Sequence, residues 1–384
     1  MSRPSVKVLE ILEQLIAFQT VSRDSNLELI HWVQAYLAGY GVGSRLTYDS
    51  TGKKANLFAT LGEGRKPGII LSGHTDVVPV EGQQWDTDPF KMTIAGDRLF
   101  ARGAADMKGY IATALASVPA FLAADQDAAL HLALSYDEEI GCIGVRGLIQ
   151  DLQEIGLKPA GCIVGEPTLM QPIIAHKGTH RFRCCIRGRE AHSSYTTHGV
   201  NAIEYAARIV VYIREIADRL ARIEQRDASY TVPYSTMQTG LIRGGLATNI
   251  VPKDCEFQFE ARTLPDTDAA ILYQEIREFA ASLLPEMQKV EPLAAIDFEW
   301  LASAPGLQMQ EDHEIVKLAA LLAGNAPNGA VSYGTEAGLF QQAGIPTVIC
   351  GPGSIEQAHT PNEYVSLDQL AQCEIFMQRL ISNR

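Results

Sequence analysis

Seven cysteines in 384 residues, none of them in a C-x-x-C pair, leave little to build a thiolate metal site. Their number is odd and none sits in an activating context, which argues against a disulfide framework and against a cysteine nucleophile. They read as reduced, buried side chains. No uninterrupted apolar run is long enough to span a bilayer. Residues 1–18 form an amphipathic helical pattern with charges throughout, without the apolar core or small-residue cleavage site of a secretory leader. A cytoplasmic protein is therefore expected. Positive charge is also scarce: 32 Lys and Arg face 45 Asp and Glu, for a net −13. That balance disfavours nucleic acid and membrane surfaces as partners. Internal repeats and low-complexity segments are missing too.

What is present is ordinary in bulk, with 46% apolar and 20% charged residues. The chain is too long for one core, so two domains are expected. The surplus carboxylates are available for metal binding.

The stretch Leu71-Ser72-Gly73-His74-Thr75-Asp76-Val77-Val78-Pro79 organises the rest. It ends an apolar run that reads as a buried parallel strand, which places His74 and Asp76 at a carboxyl edge, where open α/β sheets bind ligands. Residues two apart in extended chain point the same way. His74 can hold a cation while the Asp76 carboxylate grips its other ring nitrogen or joins as a ligand. The plain alternative is a satisfied histidine at a strand end. In A-R-G-A-A-D-M-K-G, Asp106 opens a helix over 109–124, where capping alone would account for it. The run 130–135 delivers Asp137-Glu138-Glu139; on a surface these would be a solvated turn, and beside His74 a cation would relieve their repulsion. The strand 161–165 delivers Glu166. Three consecutive buried strands thus end in groups able to bind metal.

From residue 179 the pattern changes. Strands at 180–188, 235–243, 254–263 and 295–301 and helices at 201–222 and 268–283 take the order βαββαβ, a ferredoxin-like unit inserted into the first domain. The expected division is 1–178, 179–303 and 304–384. The first domain resumes with a helix at 311–323, a strand at 347–350, a glycine turn before His359 and a helix at 367–381.

Read in order, G-H-T-D-V-V-P, A-A-D-M-K-G, D-E-E, G-E-P-T and A-H-T-P-N-E resemble the M20 family of co-catalytic zinc hydrolases over nearly the whole chain. The resemblance implies an α/β fold: a zinc-exopeptidase-like catalytic domain with a central, mostly parallel sheet, plus an inserted α+β lid and dimerisation domain. It implies two Zn2+, with Co2+ or Mn2+ as substitutes. His74 and Glu166 would hold one ion and Glu139 and His359 the other. Asp106 would bridge them, with a cis bond to Met107. Asp76 would orient His74, and Glu138 would be the general base. Neighbouring side chains in extended chain diverge, so one of Glu138 and Glu139 can ligate while the other takes a proton.

In G-R-E-A-H-S-S the resemblance makes His192 an oxyanion-stabilising residue that reaches a neighbouring subunit, which implies a homodimer through the lid. His180 and His198 lack such support and read as structural; His176 and Lys177 mark a hinge. Arg262 would grip the substrate carboxylate, as a guanidinium suits, and Asn249 would be a further contact. Thr335, with backbone groups of Gly334 and Gly353, would complete an anion pocket. Glu336 is expected to pair with the substrate's δ-ammonium. The stretches G-E-P-T-L-M-Q-P-I-I-A-H-K-G, Y-G-T-E-A and G-P-G-S-I-E-Q-A-H resemble one branch of the family, and that resemblance implies removal of the acetyl group from N2-acetyl-L-ornithine, giving L-ornithine and acetate in arginine biosynthesis. The alternatives are an acetylcitrulline deacetylase, a succinyl-diaminopimelate desuccinylase, and a broad aminoacylase or dipeptidase. From a different class stands a metal-free binding protein that kept the fold, a reading that requires decayed ligands.

Overall fold

Strands whose side chains are apolar on both faces form the middle of one sheet in the computed structural model, which describes residues 2–63, 66–124 and 127–382. In chain order the strands are β1 (Ser44–Tyr48), β2 (Ala55–Leu61), β3 (Lys66–His74), β4 (Ala128–Ser135) and β5 (Gly161–Pro167). A last strand, Thr347–Gly351, comes much later. Their spatial order is β1-β2-β4-β3-β5, then Thr347–Gly351. The four strands from β4 to Thr347–Gly351 run parallel, and β2 and β1 add antiparallel pairs at one edge. β5 and Thr347–Gly351 are buried along their whole length, as parallel strands covered on both faces must be.

Helices cover this sheet. Gly109–Ala123, rich in small apolar residues, lies directly on β5: a Cβ built on Gly165 would come within 2.1 Å of the Tyr110 ring. Only glycine permits that approach. The Tyr110 hydroxyl donates to the Ile163 carbonyl at 3.2 Å. The same contact sets the start of this helix, just after Asp106, against the strand that carries Glu166. Among the described residues no helix is long and apolar enough to cross a membrane.

The chain divides into two units. One comprises Met1–Ala175, Leu307–Ala330 and Thr335–Arg384, and the other His176–Gly306 and Val331–Gly334. The sequence places the boundaries at 178/179 and 303/304, and it does not foresee that 331–334 joins the second unit. That second unit contains β6 (Gly178–Arg187), a helix Ala202–Ile223, β7 (Thr236–Gly244), β8 (Asp254–Thr263), a helix Ala269–Gln288 and β9 (Ala295–Ala304). Its antiparallel sheet has the order β7-β8-β6-β9, the ferredoxin-like arrangement. Alternation along β6 and β8 puts Phe182, Cys184, Phe257 and Phe259 on the face that meets Ile209, Ile213 and Ile276 of the helices. The first and last segments of this unit adjoin: a Cβ on Gly306 would lie 2.9 Å from the His176 carbonyl oxygen.

Candidate metal centre

The site of the first unit arises from strand order. β3 lies between β4 and β5, so three carboxyl ends open onto one place. His74 is the last residue of β3 and pairs with Ser135, the last of β4. Thr75 crosses back to bind the Ser135 carbonyl through its N–H, at 2.9 Å, and its hydroxyl, at 2.7 Å. Asp137, in the left-handed region at φ 55°, turns the chain after β4 so that Glu138 and Glu139 point inward.

Asp76 does something other than expected. The His74 Nδ1 lies 2.9 Å from the Asp76 backbone carbonyl, and 3.6 Å from its carboxylate. The shorter contact fixes the ring and leaves Nε2 for a cation. The carboxylate instead accepts from the Ser22 hydroxyl (2.7 Å) and from the backbone N–H groups of Glu138 (3.1 Å) and Glu139 (3.4 Å). Asp76 thus pins the acidic turn, because β3 and β4 are neighbours and their carboxyl ends lie side by side.

Asp106 precedes a cis peptide bond to Met107, and its backbone is not helical, so it is no simple cap. Its Oδ1 lies 2.9 Å from His74 Nε2 and its Oδ2 lies 3.2 Å from His359 Nε2. His359 Nε2 also lies 3.0 Å from Glu139 Oε2, and His74 Nε2 lies 3.7 Å from Glu166 Oε1. The ligand atoms of His74, Asp106 and Glu139 fall within 4.8 Å of one another, as do those of His74, Glu138 and Glu166. All five expected ligands therefore gather here, with Glu138 beside them.

The electrostatics fit a divalent cation pair. Burial raises Glu138 to about 8, with Glu139 and Asp106 adding to it against the His74 imidazole. Burial and then the Asp106 charge raise Glu139 to about 7. Burial likewise pushes Glu166 well above the usual carboxylate range. Hydrogen bonds to Asp106 and Glu139 raise His359 to about 11. Burial opposes the Asp106 carboxylate, yet the His359 and His74 imidazoles hold its pKa low. Among the described residues, Glu166 Oε1 is buried and has no hydrogen-bond partner. A buried carboxylate oxygen without a donor is costly unless a cation meets it. Oxygen and imidazole donors suit zinc, cobalt or manganese. His74, Glu166 and Asp106 would hold one ion, and Glu139, His359 and Asp106 the other.

These shifts make cation binding depend on pH. Without a cation, Glu139 keeps its proton until about pH 7 and His359 until about pH 11. A cation must displace those protons, so its apparent affinity rises with pH. Titrating a divalent cation at pH 7 into the metal-stripped chain, in two buffers of different ionisation enthalpy, is expected to show proton release. Identical heats in both buffers would contradict this protonation scheme.

Two further residues hold Asp106 in place, and neither is apparent from sequence. Glu363 Oε1 accepts from the backbone N–H groups of Ala105 (2.9 Å) and Asp106 (3.2 Å). Its Oε2 accepts from Arg102 Nη1 at 2.6 Å, and both side chains are 1% exposed. Each lies within a motif, Glu363 in A-H-T-P-N-E and Arg102 in A-R-G-A-A-D, but their partnership spans 261 positions. Cys142 likewise carries no signal in the sequence: its thiol contacts Glu138 Oε1 at 3.3 Å.

The expected substrate contacts fare unevenly. Glu336 is fully buried, with Oε1 accepting from the Ser72 hydroxyl (2.5 Å) and Oε2 from that of Ser135 (2.7 Å). This corrects its expected role at a substrate ammonium, since the carboxyl group is already committed to two strands of the sheet. Glu336→Ala would take the Glu336 acceptor from the buried Ser135 hydroxyl and leave Ser72 its longer contact to the Ala133 carbonyl at 3.4 Å, and it is expected to destabilise the fold by about 1–3 kcal/mol, read from denaturant unfolding. Glu336→Gln should keep most of those contacts and change every substrate's rate by the same factor. Thr335 is buried and its hydroxyl accepts from the Ala337 N–H at 3.0 Å, where the helix Ala337–Gln342 begins. The Gly353 N–H donates to Gln369 at 3.3 Å. Both groups of the expected anion pocket in this unit are therefore engaged internally.

In the second unit, His192 and Asn249 come together: the Ser193 N–H donates to the Asn249 carbonyl at 3.1 Å, and His192 bridges Ile250. His192 is exposed, and its Nδ1 lies 2.7 Å from the Ser194 hydroxyl. Arg262 Nη1 donates to Thr179 at 3.0 Å, while Nη2 lies 3.4 Å from Glu260. His180 contacts Ser303 and Thr263 inside this unit, in keeping with a structural role.

Fold and site together define a metal-dependent hydrolase. Residues 70–383 match the model of peptidase family M20/M25/M40, and the chain belongs to that family. It is 35% identical to an acetylornithine deacetylase of Myxococcus xanthus, over 97% of this chain and 96% of that one. It is 34% identical to an acetylornithine deacetylase of Pasteurella multocida, over 97% of each. Among solved structures, an M20 family metallo-carboxypeptidase from Sulfolobus solfataricus matches with a TM-score of 0.77 at 18% identity, covering 98% of this chain and 99% of that one. A dinuclear metal binding M20 peptidase of Bacillus subtilis matches with a TM-score of 0.66 at 16% identity, covering 97% and 96%.

Proposed function

We propose that this protein removes the acetyl group from N2-acetyl-L-ornithine, giving L-ornithine and acetate, with two Zn2+ ions that Co2+ or Mn2+ can replace. The observation that carries this reading is full-length similarity at 34–35% identity to acetylornithine deacetylases, joined to an intact donor set. Bound here, a pair of divalent cations supplies polarisation of the amide carbonyl and a water of lowered pKa.

The chain's own residues do the rest. Glu138 takes the proton of the attacking water and passes it to the departing amine, which must be protonated to leave. Asp76 holds Glu138 in place through its backbone N–H. Asp106 sets the spacing of the two ligand groups. Arg262 binds the substrate carboxylate and Asn249 assists. His192 stabilises the oxyanion of a second copy's site, so the active form is a homodimer through the lid. The setting is cytoplasmic.

Chelation is expected to abolish amidase activity, and added zinc or cobalt to restore it; activity that survives exhaustive chelation would exclude the metal reading. Specificity is tested by comparing kcat/KM for acetylornithine, acetylcitrulline, acetylmethionine, succinyl-diaminopimelate and a dipeptide. Acetylornithine should lead by tenfold or more, about 1.4 kcal/mol of transition-state preference. A higher value for any other substrate would reassign the reaction within the family.

A further inference from the structure

We propose that the segment 83–86 is a clasp that positions His359 against Asp106, with Gln83 as its central residue, and that it sets how tightly the second cation is held. The clasp rests on the two-cation reading and adds a positioning residue to that site.

His359 differs from the other ligands. His74, Asp106 and Glu166 are buried at strand or helix ends, whereas the His359 side chain is 51% exposed on a loop and its backbone is left-handed at φ 61°. A ligand on such a loop needs an external hold. Gln83 supplies it: its Nε2 donates to the His359 carbonyl at 2.8 Å. Its Oε1 accepts from Arg102 Nη2 at 2.6 Å and from the Trp85 ring N–H at 3.2 Å. Arg102 in turn binds Glu363, and Glu363 binds the Asp106 backbone N–H. The circuit closes where Asp106 Oδ2 meets His359 Nε2. A second tie joins the same two loops: the Asp86 N–H donates to Asn362 Oδ1 at 2.9 Å, and Asn362 Nδ2 donates to Asp86 Oδ2 at 3.0 Å.

Gln83 must donate to a carbonyl and accept from a guanidinium at once. Among side chains of this length only the amide does both. Glutamate would keep the Arg102 contact and lose the donor; leucine would lose both. Gln83 lies on a partly exposed loop, so glutamate is accommodated there with the Arg102 contact kept, whereas leucine also takes an acceptor from the buried Arg102 guanidinium. Outer-sphere contacts of this kind typically govern metal affinity by about 10–100-fold.

The test is titration of Zn2+ into the metal-stripped full chain, by calorimetry with a competing chelator. In Gln83→Leu and Gln83→Glu the second ion should bind roughly tenfold more weakly. The first ion should bind as in the parent; the metal-free melting temperature should stay unchanged in Gln83→Glu, which keeps the Arg102 contact, and fall in Gln83→Leu, which loses it. Two ions bound by the parent with an unaltered second affinity in both variants would overturn the clasp alone. Fewer than two ions bound by the parent would overturn the two-cation reading and the clasp with it.

Discussion

Glu138→Gln is expected to lower kcat by about 10²–10⁴ while both cations remain bound, the range for loss of a general base. The amide keeps the size of the side chain and its contact with Cys142, but it cannot take a proton. A structural explanation of the loss can be separated by pH. Burial raises the folded carboxyl from 4.5 to about 8, so the folded state binds the extra proton and the group favours folding less and less as pH climbs through that window. In the metal-free chain the glutamine variant should therefore be at least as stable as the parent at pH 8, measured by urea unfolding. A variant that is both inactive and unfolded there, or one that keeps its rate within tenfold, would remove Glu138 from the proposed role.

Asp106→Asn should be nearly as severe. Its two carboxylate oxygens face different imidazoles, at 2.9 and 3.2 Å. An amide has one oxygen, and its NH2 group donates but cannot ligate. The variant should hold no more than one cation, counted by metal analysis after gel filtration. Its kcat/KM should fall on the order of a thousandfold, matching several kcal/mol of lost charge stabilisation. The Glu363 contacts are to backbone N–H groups, so they persist in this variant and keep the segment in place. Two bound cations with full activity would dismiss Asp106 as a bridge.

Much of the site is legible in the sequence, for a physical reason. Parallel strands buried on both faces read as unbroken apolar runs, and the residues just beyond each run must lie at one edge of the sheet. His74, Glu138, Glu139 and Glu166 are placed that way, and βαββαβ is visible because its strands alternate. Family resemblance supplies Asp106 and His359, which no periodicity marks. Other features depend on partners far along the chain. Glu336 looks available because it comes after a threonine near a glycine, yet its carboxyl group meets Ser72, 264 positions away. The Arg102–Glu363 pair and the Gln83 contact are of the same kind. The edge strand Ser44–Tyr48 is hidden in the sequence because it is half exposed and charged, and Ala337–Gln342 because six residues carry too few turns of pattern.

The interrupted order of the first unit has a temporal consequence during synthesis. A ribosome releases β3, β4 and β5 first, then the whole of His176–Gly306, and only afterwards Thr347–Gly351, His359 and Glu363. The intervening module owns a separate core and can mature while the earlier strands still wait for their last neighbour. Nascent protein therefore cannot complete the cluster around Asp106 until the segment bearing His359 has emerged, and products that stop short of it can carry a finished central module beside an incomplete donor set.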